Sequence, residues 1–220
     1  MKKTFPILFL ILTVSNLKAE SRFGIVAGVN MSKIDIAIPD WRDYLLYHLG
    51  YGIGLDSKLK LSENFDFSCS LIYNQKGTDI DNSRYNLPKT KWSLNYISLT
   101  PEIIFKPHKA FGIEIGPQFS YLLMANQRYS YTLSSNQNVI TENANITSTF
   151  RKIDVSIVAG LVFMIKDNLS FAVKYNHGFL DINNNVDYIS PNNFNDPLIP
   201  TEYNRSYCLE VTYYFKKSLP

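Results

Sequence analysis

The residues of this 220-residue chain that could carry chemistry are seven charged side chains inside segments of alternating apolar and small residues. Each of them occupies the row opposite the apolar side chains of its segment. If that row is enclosed, the charges must pair there, because an unpaired buried charge is costly. Two lysines oppose five carboxylates, so pairing leaves an excess of negative charge. The seven residues are Asp56, Lys58, Glu102, Glu114, Asp154, Lys174 and Glu210.

The histidines and serines form no recognisable catalytic pattern. His48, His108 and His177 are far apart and lack H-E-x-x-H or paired-cysteine spacing, so structural histidines are favoured over metal ligands. The sequence also lacks a G-x-S-x-G nucleophile motif. We therefore predict that the protein is not an enzyme and that it holds neither a metal nor a cofactor.

The stretch DINNNVDY resembles a calcium-binding loop in part. Residues 181–187 place Asp or Asn at four alternate positions, as such a loop does. Val186 stands where the loop needs glycine, and Asn192 stands where it needs a bidentate acid. A solvated polar loop is therefore favoured over a calcium site.

The two cysteines, Cys69 and Cys208, are expected to remain unpaired. Alternation places Cys69 in the apolar row of its segment and Cys208 in the opposite row of the last segment. Side chains on opposite faces of a sheet cannot reach disulfide geometry. We expect two free thiols with no metal role.

The elements that must position these residues are strands. Eight segments alternate with a period of two, which is the pattern of a strand with one apolar face. Each is long enough for a tilted strand to cross a bilayer, which takes about 9–11 residues. The segments are 22–31, 50–60, 65–75, 94–105, 111–123, 150–164, 169–180 and 204–215.

The links between segments alternate strictly between long and short. Long polar links fall at about 32–49, 76–93, 124–149 and 181–203, and short ones at 61–64, 106–110 and 165–168. All long links then lie at one end of an up-and-down sheet. Outer-membrane barrels show this asymmetry, with short periplasmic turns and longer extracellular loops.

Aromatic residues concentrate at the two ends of the apolar row. Two aromatic girdles around an aliphatic band are typical of a surface that spans a lipid bilayer. The girdle residues are Tyr51, Phe65, Tyr73, Phe105, Phe111, Tyr121, Phe163, Tyr175, Tyr207, Tyr213 and Phe215.

The N-terminus reads as a secretory signal, MKKTFPILFLILTVSNLKA, over residues 1–19. Lys2 and Lys3 precede an apolar run that ends before the small residue Ala19. Removing residues 1–19 takes away three lysines and no acid, which leaves 19 basic and 19 acidic residues. The charge balance therefore gives no support to a nucleic-acid partner.

Together these patterns predict an all-β fold over residues 20–220. We expect a closed, eight-stranded, antiparallel, up-and-down transmembrane barrel with short periplasmic turns and four long extracellular loops. The expected location is the outer membrane of a Gram-negative envelope. The expected partners are outer-membrane lipid and, during biogenesis, the barrel-assembly machinery. A soluble lipocalin-like barrel is disfavoured by the charged inner row and the strict alternation of links.

The first long link contains an unusually apolar stretch, DWRDYLLYHLG, at 40–50. Asp40 and Gly50 could begin and end a short helix. Trp41, Leu45 and Leu46 could then form a surface patch for a partner or lipid. Alternatively, these residues cap the barrel mouth or extend a strand.

Several strands resemble the PorT-like outer-membrane β-barrel proteins of Bacteroidetes, a porin-like family. The most specific pieces are LIYNQKG at 71–77, GPQFSYLL at 116–123, and the Y-N-x-G-x-x-D-I pattern at 175–182. The likeness extends over nearly all strands, whereas the loops look unrelated. The resemblance implies an eight-stranded outer-membrane barrel, and one founding member of the family is tied to protein secretion and gliding.

From these observations we expect a non-enzymatic envelope barrel that acts in structure, in adhesion or with a secretion partner. One alternative is a narrow porin-like channel for small solutes, although a filled, charge-paired interior disfavours an open pore. A less favoured alternative is a lipid-modifying outer-membrane enzyme.

Overall fold

A computed structural model describes residues 21–36, 44–81, 83, 90–132, 139–166, 168–184 and 201–215 of the chain. The predicted signal at 1–19 and Trp41 lie outside the described residues. No helix among the described residues is long and apolar enough to span a membrane.

The described chain is built almost entirely of antiparallel strands, with one short 3₁₀ helix at Thr147–Thr149. The chain forms strands because apolar and polar side chains alternate along it, and a segment with a period of two places one kind of side chain on each face of a sheet. The strands are β1 (Ser21–Ile36), β2 (Leu45–Lys60), β3 (Phe65–Ile80), β4 (Thr90–His108), β5 (Phe111–Thr132), β6 (Val139–Asn145), β7 (Ile153–Lys166), β8 (Leu169–Gly178) and β9 (Glu202–Tyr214).

Eight of these strands close into a ring, which confirms the predicted barrel. Neighbours along the chain pair with each other, β9 pairs with β1, and β4 pairs with β5 to complete the circuit. The additional strand, β6, pairs only with the far end of β5, over Asn126–Thr132. Closure leaves no open sheet edge around the ring itself.

The outer surface of the ring is apolar. Large hydrophobic side chains at alternate positions are exposed, for example Phe23 at 63% and Leu55 at 62%. The opposite row holds buried polar residues such as Ser70, Ser98 and Ser120. This arrangement is the reverse of a water-soluble barrel, which hides its apolar row inside.

The predicted long links are too long, because the strands continue into them. β1 runs on to Ile36, β2 begins at Leu45, β3 ends at Ile80 and β4 begins at Thr90. The helix considered for 40–50 is wrong over residues 45–50, which are the start of β2. We call residues 32–36, 45–49, 76–80, 90–96 and 122–132, which include these continuations, together with β6, the strand extension.

The strand extension encloses an apolar core, which the sequence did not predict. Its inward apolar side chains, together with Phe150 and Ile182 from the neighbouring links, pack into a single cluster that we call the apolar plug. Trp92 packs against it and contacts the Phe150 ring edge-on, with 5.8 Å between ring centroids. The plug consists of Ile34, Ile36, Leu45, Ile80, Leu94, Tyr96, Leu122, Ala125, Phe150 and Ile182.

Candidate functional site

The centre of the barrel interior is a charge cluster around Lys174 of β8. Its Nζ atom lies 2.9 Å from Glu102 Oε2, 3.4 Å from Glu114 Oε1 and 3.2 Å from Glu210 Oε2. Gly160 of β7 makes room for it, because a Cβ there would lie 3.0 Å from Lys174 Cγ. One ammonium thus joins carboxylates from β4, β5 and β9 across the interior.

A second cluster lies nearer the short-turn end, around Asp56 and Lys58 of β2. Asp56 accepts hydrogen bonds from Ser68 Oγ at 2.6 Å and from Tyr214 Oη at 2.7 Å. The Lys58 ammonium lies 4.5 Å from the centroid of the Tyr214 ring. The carboxylate of Asp56 is therefore satisfied by hydroxyl groups and not by an ion pair with Lys58.

A third cluster surrounds Asp154 of β7, below the apolar plug. Asn204 Nδ2 donates to Asp154 Oδ2 at 2.9 Å and to Tyr96 Oη at 3.2 Å. Lys76 Nζ lies 3.9 Å from Asp154 Oδ2 and donates to Gln118 Oε1 at 2.9 Å. This network connects the polar interior to the Tyr96 hydroxyl at the base of the plug.

Two interior ion-pairing residues escaped the sequence analysis, Lys76 and Asp66. Lys76 was assigned to a link, although it continues the even-numbered inward row of Ser70, Ile72 and Asn74. Asp66 begins the inward row of β3 and pairs with Lys106 at 2.6 Å between Nζ and Oδ1. Extending the alternation by one residue would have found Lys76, and Asp66 already lies in the inward row of the predicted segment 65–75.

The interior between these clusters is almost filled. Two interior cavities, one beside Gly28 and Cys208 and one beside Asp56 and Lys58, have volumes of about 30 and 20 Å³. Each holds at most one or two water molecules. The apolar plug lies above them, so a solute that passes through this part of the barrel would have to cross ten buried apolar side chains.

The eleven girdle residues all lie on the outer surface and are at least partly exposed. Several form cross-strand ring pairs, with centroids 5.2 Å apart for Phe65 and Phe105 and 5.0 Å apart for Tyr175 and Tyr207. The phenylalanine pairs lie towards the short-turn end and the tyrosine pairs lie towards the long-loop end. They mark the two limits of the apolar band.

The three residues proposed as loop contacts separate in the structure. Leu46 is 39% exposed, but Leu45 is only 3% exposed and belongs to the apolar plug. Leu45 is therefore not available to a partner, because the irregularity in the β2–β3 register between Tyr47 and Gly52 shifts the alternation and turns Leu45 inward. Trp41 lies outside the described residues.

A Ser–His–Asp arrangement on the barrel wall was missed by the sequence analysis. His48 Nδ1 lies 2.7 Å from Asp79 Oδ1, and His48 Nε2 lies 3.4 Å from Ser93 Oγ. Alternation along β4 puts Ser93 on the face of the exposed Ile97 and Leu99, so the serine lies on the outer wall. The three residues come from β2, β3 and β4, and no short sequence motif could reveal them.

Asp181, the first residue of the partial calcium-loop pattern, makes ordinary loop contacts. Asp181 lies 3.4 Å from Arg151 Nη2, and its Oδ1 accepts the backbone N–H groups of Asn183 and Glu202. Burial, together with the charge of Asp181, raises the pKa of Glu202 to about 7. Asn185 and Asp187 lie outside the described residues.

Both cysteines are free thiols, as expected. Cys208 lies opposite Lys174 in the β8–β9 register and lines one of the small interior cavities. The remaining histidines lie at the ends of strands. His177 packs between Tyr175 and Phe179, with ring centroids at 6.0 and 5.2 Å.

Comparison with known proteins supports the barrel geometry. Residues 15–184 match the protein family described as "Outer membrane protein beta-barrel domain". No curated protein matches the sequence significantly.

Among solved structures, Neisserial surface protein A is similar over 89% of this chain and 99% of its own, with 12% identity and a TM-score of 0.50. The attachment invasion locus protein Ail of Yersinia pestis, solved with the heparin analogue sucrose octasulfate, has the same coverage, 13% identity and a TM-score of 0.49. At such identities the likeness to Neisserial surface protein A concerns the fold alone.

Proposed function

The chain belongs to the outer membrane protein beta-barrel domain family and lies in the outer membrane, and we propose that it acts there as a closed, non-enzymatic barrel. Its short turns face the periplasm and its long loops face the exterior of the cell. In this proposal its function is to present a rigid extracellular surface to a partner, in adhesion or in a secretion assembly.

The observation that carries this proposal is the apolar plug. Ten buried apolar side chains fill the barrel where it leaves the membrane, and Leu94, Tyr96 and Leu122 among them have no exposed surface. A solute channel requires a wet path, and an apolar core of this size excludes water. The strand extension therefore serves better as a rigid platform than as the mouth of a pore.

The strand extension also offers a suitable contact surface. Leu46 and Tyr47 at the start of β2 are 39% and 47% exposed, although they lie beyond the Tyr51–Tyr73 pair that limits the apolar band. Exposed apolar side chains on a rigid element are typical of protein contact sites. In this proposal Leu46 and Tyr47 contact the partner.

The proposed link to secretion rests on the resemblance to PorT-like proteins. The matching stretches are strands, whereas the loops differ, so the partner is expected to be specific to this protein. Co-purification from native envelopes under mild detergent tests this proposal. Recovery of a secretion or surface protein that is lost in Leu46→Glu/Tyr47→Glu supports it, with Leu61→Glu in the exposed periplasmic turn as a control. Recovery of lipid and assembly factors alone contradicts it.

The channel alternative has a separate test in planar bilayers. We expect the purified barrel to show no stepwise conductance at neutral pH. Steady ion conductance by the folded barrel, identified by its heat-modifiable migration on gels, would overturn the closed-barrel proposal.

A second candidate function, acyl-ester hydrolysis, is favoured by the Ser93–His48–Asp79 arrangement. In this reaction Ser93 Oγ attacks the ester carbonyl while His48 Nε2 takes its proton, which then passes to the leaving alkoxide. Water next attacks the acyl-serine, releasing the acid and restoring Ser93. Asp79 holds the imidazole through its Nδ1 hydrogen bond. The site lies just beyond the tyrosine girdle, at the level of outer-leaflet headgroups.

A fluorophosphonate probe tests this candidate directly, because it labels only an activated serine. Labelling that disappears in Ser93→Ala and His48→Ala, but persists in the control Ser57→Ala, supports hydrolysis. The absence of labelling in the folded wild-type barrel removes this candidate and leaves the binding role.

A further inference from the structure

The periplasmic mouth of the barrel contains an open cavity of about 1000 Å³ that the proposed extracellular role does not use. It is lined by the strand ends and turns on the periplasmic side, and we call it the vestibule. Two carboxylates, Glu63 and Asp66, face six cationic side chains there. The cations are Arg22, Lys58, Lys60, Lys106, Lys109 and Lys166.

Lys58 is the innermost of these cations. It is only 7% exposed, and its ammonium contacts the face of the Tyr214 ring at 4.5 Å. Among the residues that the structure describes, no carboxylate oxygen lies within 4.0 Å of its Nζ atom. Lys106, by contrast, is held by Asp66 at 2.6 Å. An ammonium group has three hydrogen-bond donors, and a ring face satisfies none of them fully.

The vestibule lies at the level of the lipid headgroups of the inner leaflet. Phe65, Phe105 and Phe163 of the periplasmic girdle directly precede Asp66, Lys106 and Met164, which line the cavity. Adjacent strand residues have the same height and face opposite sides of the wall. The lining is apolar on one side, where Met164, Ile165 and Leu169 flank the β7–β8 turn.

We propose that the vestibule binds a phosphate group, with Lys58 Nζ as the inner donor and the rim lysines Lys60, Lys109 and Lys166 as outer donors. A phosphomonoester offers three acceptor oxygens and up to two negative charges, and the phosphodiester of a phospholipid offers two non-bridging oxygens and one charge. Both suit several ammonium groups arranged around a concave site. The phosphate comes either from a phospholipid headgroup or from a soluble phosphate. The apolar side of the vestibule is suited to the glycerol and first methylenes of a lipid.

The binding experiment uses the full mature barrel in phosphatidylcholine nanodiscs. One arm adds phosphatidylglycerol to the nanodiscs and counts retained lipids by native mass spectrometry. The other arm titrates inorganic pyrophosphate, with binding followed by isothermal calorimetry at low and high salt. Binding in the first arm alone assigns a lipid headgroup, and binding in the second arm assigns a soluble phosphate as a ligand.

The variants are Lys58→Met, which keeps the stem and removes the charge, and Lys60→Met/Lys109→Met on the exposed rim. Lys152→Met, an exposed lysine at the opposite end of the barrel, is the matched control. We expect Lys58→Met to weaken binding about tenfold, which is the effect of losing one charge-assisted hydrogen bond. The rim variant is expected to weaken binding less and to reduce its salt dependence.

The competing explanation is that the vestibule cations only offset the acids of the interior, such as Asp56 and Glu114. In that case Lys58→Met lowers the unfolding temperature but leaves ligand retention equal to that of Lys152→Met, and the proposal is wrong. Absence of binding in both arms also overturns it. If Lys58→Met fails to fold, the ligand binding of Lys60→Met/Lys109→Met decides between the two explanations, because those lysines are exposed.

Discussion

The membrane band and the strand extension of this barrel are built from the same strands but have opposite interiors. Within the band, the outer row is apolar and the inner row carries Lys174 with Glu102, Glu114 and Glu210. Within the extension, Leu94 and Leu122 point inward and are fully buried. The solvent explains the difference, because the outer wall faces hydrocarbon in the band and water beyond it. The inward side chains of a strand can therefore be polar within the band and apolar beyond it.

The largest effect in this comparison is expected for Lys174→Met in the band. The substitution leaves three carboxylates facing each other in the interior, and breaking a buried charge cluster costs about 3–5 kcal/mol. We expect a loss of that size in urea unfolding from detergent micelles, or a failure to fold. Lys152→Met, exposed in the link before β7, is the control and should change little. A stable Lys174→Met barrel would contradict the interpretation that Lys174 holds the three carboxylates together.

Leu94 and Leu99 of β4 offer a matched test of the two environments. Leu94 is fully buried in the apolar plug, whereas Leu99 is 44% exposed on the band. Leu94→Ala is expected to cost about 2–5 kcal/mol, because it leaves a cavity that its neighbours cannot fill. Leu99→Ala should cost clearly less, since lipid chains move into the space. Equal losses of unfolding free energy would mean that the plug is loosely packed.

The outer wall can be tested with an introduced charge. Ile115→Arg, about midway between the girdle residues Phe111 and Tyr121 of β5, places a guanidinium against hydrocarbon and is expected to cost about 2–4 kcal/mol near the bilayer midplane. Leu46→Arg, on the exposed wall of the strand extension, should be nearly neutral because water solvates it there. The measurement is unfolding free energy in lipid vesicles. Similar costs at both positions would place Leu46 inside the bilayer.

The smallest effect concerns Glu202, which lies at the extracellular end of β9. Its pKa of about 7 in the folded chain exceeds the ordinary value of 4.5, so ionisation works against the folded strand end. The stability given by the protonated form is fully present below pH 4.5 and is lost as the pH rises to about 7. Hydrogen exchange of the first β9 amides should therefore quicken over this range beyond its intrinsic pH dependence. Glu202→Gln should abolish that additional change, whereas Glu142→Gln on β6 should not.

Much of the fold could be predicted from alternation alone. The four-residue turn at 61–64 and the approximate positions of all eight ring strands follow from the pattern, whereas the link predicted at 106–110 is shorter and comprises only the two residues after His108. The predicted strand ends are wrong where the apolar side chains move from the outward row to the inward row. Residues 32–36 and 76–80 looked like loop because their apolar side chains occupy the row that is polar in the band. If the apolar row is assumed to face outward along the whole strand, these residues do not fit the strand pattern.

The candidate sites were less predictable, because their members are distant in sequence. Alternation assigns Lys174 to the enclosed row, but it cannot show that Glu102, 72 residues away, is its partner. His48, Asp79 and Ser93 carry no motif, and they meet only because β2, β3 and β4 are neighbours with a bulge after Tyr47. The vestibule likewise gathers residues from turns that are far apart along the chain.

The sequence by itself determined that this protein is a ring of strands with an apolar exterior, because the period of two and the order of short and long links are local properties. Only the tertiary structure decided that the barrel is plugged on its extracellular side and open on its periplasmic side. The reason is that enclosure depends on which inward side chains meet across the ring. Barrel closure and strand stagger determine which side chains contact each other, and the sequence of a single segment specifies neither.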